Sequence, residues 1–168
     1  MALAAIRPPK GNTMQRRLII QAIASLAGAS VTASSLMAQT KPRVEAWKAP
    51  GCGCCEDWAR HLEANGFQVT MHESGSAVAR TRLHVPEKLG SCHTAQVGGY
   101  ALEGHVPARE IRRLLKERPT AVGLTVPGMI IGSPGMDGPA YGGRKDPYDV
   151  LLISADGSTR VYQSYNRT

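Results

Sequence analysis

The sequence predicts a mixed α/β domain whose elements follow the order β-α-β-α-β-β-α, completed by a loop and a C-terminal β-hairpin. Three observations predict this order: alternating apolar runs typical of strands, helically spaced apolar residues between them, and glycine or proline at the boundaries. An apolar fraction of 42% over 168 residues is enough for one buried core. We therefore expect a single domain over residues 39–168, after a separate N-terminal segment over residues 1–38.

The first four elements come from the N-terminal half of this domain. Alternating apolar and polar residues at 44–47 predict the first strand. Apolar residues at helical spacing then predict a helix that begins at Cys54 or Cys55 and ends at residue 65. A second strand at 67–71 and a short helix at 76–83 complete this part.

The next two strands are predicted to form a hairpin with its turn at Gly98-Gly99, because two glycines supply the positive φ angles of a tight turn. A two-residue turn pairs Val97 with Tyr100 and, continued outward, places Cys92 opposite His105. Directly paired residues have Cβ atoms about 4.5–5.5 Å apart. Cys92 and His105 are therefore expected to reach the same metal ion.

The last part of the chain predicts one more helix, a loop and a second hairpin. Pro107 is expected at the first helical position, before a buried face made of Ile111, Leu114 and Leu115. Residues 119–148 are rich in glycine and proline and predict a long loop. Strands on either side of Asp156-Gly157 predict the final hairpin.

The N-terminal segment has the pattern of an export signal and leader. A basic start at Arg16-Arg17 precedes a short apolar stretch over 18–31, and Ala38 is a candidate cleavage point. The arginine pair also resembles a twin-arginine signal, and an uncleaved amphipathic anchor is the alternative. We expect a periplasmic protein, cleaved near Ala38, with no stable membrane insertion after cleavage.

The formal charge of +7 argues less for nucleic-acid binding than it first suggests. Residues 1–38 contain four of the 20 basic side chains and none of the 13 acidic ones. The remaining residues show no basic run and no nucleic-acid motif, and the aromatic fraction of 5% is low for base stacking. We therefore expect no nucleic-acid partner.

Four cysteines carry the strongest functional signal. Cys52, Cys54 and Cys55 lie within four residues, and Cys92 follows much later. Purely structural disulfides are one interpretation, but clustered neighbours fit the required Cα separation poorly. Cys52 and Cys55 alone form a C-x-x-C pair, which favours a thiol-disulfide oxidoreductase. Metal binding is the interpretation that also gives Cys54 a role, because crowded thiolates repel one another until a soft cation neutralises them.

The donor set favours copper over zinc. Thiolates and thioethers select Cu(I). Zinc sites usually have two separated cysteine or histidine pairs, whereas here three cysteines lie together. We expect a copper site, Cu(I) and polynuclear, on the four cysteines, with His105 and the adjacent His93 as further ligands. Met129 and Met136 are candidate thioether ligands, although Met129 fits a core position equally well. The other histidines are not expected to bind metal: His61 is predicted to lie on the surface, and His72 and His84 to be structural or exposed.

The order of elements over residues 43–118 is that of the thioredoxin fold, in which the first helix begins at a cysteine motif. A set of short motifs occurs along the chain: Cys52-Gly53-Cys54-Cys55, Ser91-Cys92-His93-Thr94-Ala95, Gly98-Gly99-Tyr100, Glu103-Gly104-His105-Val106-Pro107-Ala108, Val126-Pro127-Gly128-Met129, Gly132-Ser133-Pro134-Gly135-Met136 and Pro147-Tyr148-Asp149-Val150. Together these motifs resemble the CopG-like family of small exported bacterial metal-binding proteins linked to copper resistance, long described as a domain of unknown function. The resemblance implies a thioredoxin-like fold, a periplasmic location and copper handling by the matched cysteines.

Three functions remain open at this point. The first is a periplasmic copper-binding protein for copper tolerance, acting by storage, transfer or Cu(I)/Cu(II) redox, with copper ions and other periplasmic copper-handling proteins as partners. A copper oxidoreductase activity falls within this hypothesis. The second is a thiol-disulfide oxidoreductase that uses Cys52 and Cys55, and the third is a domain stabilised by structural disulfides.

Overall fold

The computed structural model describes residues 40–167, so the predicted export signal lies outside the described residues. The strands are β1 (Arg43–Lys48), β2 (Gln68–His72), β3 (His93–Val97), β4 (Tyr100–Glu103), β5 (Gly123–Thr125), β6 (Tyr148–Ile153) and β7 (Thr159–Tyr165). The α-helices are α1 (Gly53–Ala64), α2 (Ala77–Arg82) and α3 (Ala108–Glu117), and short 3₁₀ turns occupy Glu87–Leu89 and Pro139–Tyr141. Within these described residues, every helix lacks the length and apolar composition needed to cross a bilayer.

The strands form one seven-stranded mixed sheet in the order β2-β1-β3-β4-β5-β6-β7. β1 pairs in parallel with β2 and antiparallel with β3, and β3 and β4 form an antiparallel hairpin. β4 pairs in parallel with β5, after which β5, β6 and β7 are antiparallel. The predicted mixed α/β class is confirmed, whereas the thioredoxin-like assignment stays a prediction from the order of elements.

The predicted hairpin register is confirmed, because Val97 pairs with Tyr100 and Gln96 with Ala101. The prediction of one long loop over residues 119–148 is wrong in part, since this segment contains β5 and a 3₁₀ turn. A strand of three residues is too short to show alternation within a glycine- and proline-rich stretch. Because β5 lies between β4 and β6, the final hairpin extends the main sheet.

The core lies between the sheet and the helices that pack on it. Trp58 of α1 is fully buried, and its indole N–H donates to the carbonyl of Val106 (2.9 Å). Ile111 and Leu114 of α3 are fully buried as predicted, and Leu115 is partly buried. Pro107 precedes α3 in an extended conformation and is not its first helical residue, which corrects the prediction by one position.

Candidate metal centre

The cysteine motif lies where β1 leads into α1. Cys52 is the cap residue that precedes the helix, and Cys54 and Cys55 belong to its first turn. The N-terminus of a helix carries partial positive charge, which favours a thiolate over a thiol. The fold therefore places three sulfur atoms at the N-terminal end of α1.

Cys92 ends the segment before β3 and completes a group of four cysteines. One Sγ atom from each cysteine lies within 4.8 Å of the others. Cys54 Sγ is 3.6 Å from Cys52 Sγ and 4.0 Å from Cys92 Sγ. Cys55 is fully buried and the other three are partly buried, so the group lies between the core and the surface.

Cys52 and Cys55 are joined by a disulfide, whereas Cys54 and Cys92 are free thiols. The expectation that the clustered cysteines make poor bridge partners is wrong for this pair. Their Cα atoms are 5.4 Å apart, which is inside the range that disulfides adopt. Reduction of this bridge gives a site with four thiols, and its formation leaves two.

Cys92 also belongs to a second group of donors with His93 and His105. Its Sγ atom lies 3.0 Å from Nε2 of His105 and 3.3 Å from Nδ1 of His93. The β3–β4 register carries these residues to the same end of the hairpin. The two groups share Cys92, so six candidate ligands form one continuous site.

His105 is held in one orientation by the loop between β5 and β6. Its Nδ1–H donates to the carbonyl of Pro134 (2.8 Å), which assigns the proton to Nδ1 and leaves the lone pair of Nε2 facing Cys92. Burial lowers the pKa of His105. The side chain is therefore held as a neutral imidazole, the form that binds metals.

His93 is completely buried. Its ring packs against Trp58 with centroids 4.2 Å apart, and its Nε2 atom has no hydrogen-bond partner among the described residues. Burial is the main cause, and the nearby His105 the second, that lowers the pKa of His93 to about 3. A buried neutral imidazole without a full set of partners is compatible with a metal ligand, because buried polar atoms are normally satisfied.

The thiol of Cys92 is difficult to ionise in the metal-free protein. Burial, followed by the proximity of Cys54, raises the pKa of Cys92 well above its ordinary value. A thiol with a raised pKa releases its proton when a cation replaces it. Metal uptake at this site is therefore expected to release protons.

The two candidate methionines belong to the loop between β5 and β6. Met136 is buried, and its Sδ atom accepts a hydrogen bond from the hydroxyl of Tyr141 (3.2 Å). Met129 is 58% exposed, so the alternative of a core methionine is wrong. Both belong to the loop that carries Pro134, and their role as ligands stays a prediction.

Sequence reasoning misplaced His61 and missed the residues around the ligands. His61 is half-buried, and its Nε2 atom accepts the backbone N–H of Ala108 (3.2 Å) at the start of α3, so the predicted surface position is wrong. Pro134 lies inside a motif noted in the sequence, but nothing there indicated that its carbonyl would bind His105. His72 pairs with Glu45 (2.6 Å), and His84 is exposed, as expected.

Comparisons with known proteins give two matches of different kinds. Residues 89–136 match a family model described as a protein of unknown function, DUF411. Two solved structures, titled copper resistance protein CopG in form 1 and form 2, are each 44% identical to this chain with a TM-score of 0.68. Each match covers 74% of this chain and 98% of the solved chain. No curated protein matches.

The fold and the site define a mixed α/β protein with a donor group rich in sulfur and imidazole. Identity of 44% over nearly the whole length of the solved chains is sufficient to assign the family. The chain belongs to the family of the copper resistance protein CopG.

Proposed function

We propose that this chain is an exported periplasmic protein that binds Cu(I) for copper tolerance. The ligands in this proposal are the thiolates of Cys52, Cys54, Cys55 and Cys92, with His105 and His93 as imidazole ligands. The observation that carries the proposal is the group of four sulfur atoms within 4.8 Å, continuous with two neutral imidazoles. Thiolates select Cu(I), and the related proteins are named for copper resistance.

The number of donors supports a site for more than one ion. One tetrahedral metal takes four ligands, and six candidate ligands meet here around the shared Cys92. Thiolates can bridge neighbouring copper ions, which gives Cys54 a role that a C-x-x-C pair does not need. Loading requires the reduced form, because the Cys52–Cys55 disulfide withdraws two of the four thiolates.

The test is an anaerobic Cu(I) titration of the reduced chain, with bound metal counted by native mass spectrometry. We expect more than one copper per chain, and a lower count for Cys54→Ser and for Cys92→Ser. His84→Asn, at an exposed position away from the site, serves as the control and is expected to bind the full number. A reduced parent chain that takes up no Cu(I) would overturn the proposal.

The Cys52–Cys55 disulfide favours a second candidate function, a thiol-disulfide oxidoreductase. In that function a substrate thiolate attacks one sulfur of the bridge, a mixed disulfide forms, and the other cysteine leaves as a thiolate. Cys54→Ser separates the two candidates. An oxidoreductase keeps most of its dithiol-disulfide activity in this variant, whereas a copper site loses stoichiometry or affinity.

A further inference from the structure

Cys92 enters the site directly after Ser91, and both backbone polar groups of Ser91 are held by charged side chains. The Ser91 N–H donates to Oε1 of Glu103 (2.6 Å). The Ser91 carbonyl accepts from Nη2 of Arg80 (2.9 Å). The backbone immediately before the shared cysteine is therefore fixed on both of its polar groups.

Glu103 and Arg80 form a largely buried ion pair that links three parts of the fold. Glu103 is fully buried on β4, and Arg80 of α2 is 16% exposed. Nε and Nη2 of Arg80 donate to Oε1 of Glu103 at 3.1 and 2.7 Å, and Thr94 Oγ1 donates to Oε2 at 2.6 Å. The carboxylate thus connects α2, β3 and the segment before Cys92.

The atoms around Ser91 leave little room for its side chain to move. The Ser91 hydroxyl donates to the carbonyl of Gly128. Gly104 has a φ of +70°, and a Cβ atom there would lie 2.6 Å from the Ser91 hydroxyl oxygen. The residue before Cys92 is therefore held by its N–H, its carbonyl, its hydroxyl and the space beside it.

Stability alone is a weak explanation for this arrangement. A buried ion pair contributes little more to the free energy of folding than well-packed apolar side chains would, because both charges lose their hydration. An arginine that donates twice to one oxygen of a buried carboxylate does, however, fix geometry in a way that apolar contacts do not. Among the described residues, the side-chain hydrogen bonds of this pair to main-chain atoms all go to Ser91.

We propose that the Arg80–Glu103 ion pair is a positioning device that holds Cys92 against Cys54 and His105. Neither residue of the pair is a metal ligand, and both act through the backbone of Ser91. This role belongs to the metal-free chain, whichever metal the site binds. The consequence for copper affinity rests on the proposed function.

The experiment measures alkylation of Cys92 by iodoacetamide in the reduced, metal-free full chain, followed by tryptic peptide mapping. Cleavage after Lys88 and Arg109 separates Cys92 from the other cysteines. We expect Glu103→Gln to raise the Cys92 alkylation rate about tenfold, since hydrogen bonds to a charged group are lost. Arg80→Lys keeps the positive charge but replaces the two donor nitrogens of arginine with one. It is therefore expected to raise the Cys92 alkylation rate by a smaller factor.

Glu110→Gln is the matched control, because Glu110 is also a buried glutamate but lies on α3 and accepts from the hydroxyl of Tyr165 (2.8 Å). It is expected to leave the Cys92 rate unchanged even where it lowers the melting temperature. Rates that rise equally in the Glu103 and Glu110 variants, in step with global unfolding, would overturn the proposal. If Glu103→Gln fails to fold, Arg80→Lys decides by the same comparison.

A Cu(I) competition titration gives the second readout. We expect weaker copper binding in Glu103→Gln and Arg80→Lys and unchanged binding in Glu110→Gln. If the parent chain binds no Cu(I), the proposed function fails, and the alkylation rates still decide whether the pair positions Cys92. Unchanged alkylation in both pair variants would instead refute the positioning device and leave the proposed function intact.

Discussion

Cys92 connects the two donor groups, because its sulfur lies 4.0 Å from that of Cys54 and 3.0 Å from Nε2 of His105. It is also the cysteine farthest from the others in sequence. Its location could be predicted because a two-residue turn fixes the register of a hairpin and therefore which residues face each other. The orientation of the side chains around Cys92 could not be predicted, since it depends on carbonyl and carboxylate groups from segments distant in sequence.

At the residue scale, the first prediction concerns His61 and pH. His61 accepts the N–H of Ala108, and burial lowers its pKa although the nearby Asp137 opposes the shift. As the pH falls below about 6.5, the unfolded chain therefore binds a proton at His61 more readily than the folded chain does. The stability that depends on neutral His61 is complete above that pH and is lost on acidification. The loss is expected to be only a fraction of ~1.4 kcal/mol per pH unit, because the half-buried side chain is partly screened.

His61→Gln keeps an acceptor for Ala108 but does not titrate. We therefore expect the free energy of unfolding of this variant, measured by urea denaturation, to fall less steeply between pH 6.5 and 5 than that of the parent, as the reference pKa implies. His84→Asn, exposed and with a positive φ that asparagine tolerates, should keep the parental slope. Parallel slopes for the parent and His61→Gln would contradict the assignment.

At the element scale, the turn from Gly132 to Met136 supports His105, and the sequence did not predict this role. The N–H of Met136 donates to the carbonyl of Ser133 (2.8 Å), and the N–H of Gly132 donates to that of Met136 (2.8 Å). This turn packs on the first turn of α1 and presents the Pro134 carbonyl to His105. The Gly/Pro-rich composition predicted a loop, but its contacts join residues far apart in sequence.

Gly135 tests the role of this turn. It has a φ of +86°, and a Cβ atom there would lie 2.6 Å from the carbonyl oxygen of Cys54. Gly135→Ala is therefore expected to lower the free energy of unfolding by about 1–3 kcal/mol and to weaken Cu(I) binding, because the turn must move away from α1 and His105. Chemical denaturation and a copper competition titration measure the two effects.

Gly138→Ala is the matched control in the same loop. Gly138 has a φ of −71°, and a Cβ atom there would meet nothing within 4 Å. This variant is expected to change the free energy of unfolding by less than about 1 kcal/mol. Equal losses in the two variants would show that close packing on α1 is not what Gly135 provides.

At the scale of the whole molecule, the sheet order joins the cysteine motif, the hairpin and the C-terminal strands into one body. Much of this could be predicted, since the helices and the longer strands have clear periodicity. β5 could not be predicted, because three residues are too few to show a periodic pattern. Without β5, the sequence does not indicate where the last hairpin joins the sheet. The short parallel pairing of β4 with β5 determines where the following loop begins.

Copper is expected to stabilise the whole folded chain. A ligand that binds only the folded state at about 1,000 times its Kd adds about 4 kcal/mol, so Cu(I) should raise the melting temperature of the reduced protein by several degrees. Differential scanning fluorimetry under anaerobic conditions measures this rise. Cys92→Ser should remove more of it than Cys54→Ser, because only Cys92 belongs to both donor groups. The reverse order would contradict the shared role of Cys92.

The loop between β5 and β6 is attached to the sheet at both of its ends, and between them it brings Pro134 to His105. A premature stop codon after Val126 would therefore leave every cysteine and both histidines of the site in the translated chain. It would nevertheless remove strands β6 and β7 of the sheet, and with them the acceptor that orients His105 and the turn that covers the start of α1. Gene truncations in this C-terminal region are accordingly expected to behave as loss-of-site alleles even though no proposed cysteine or histidine ligand is deleted.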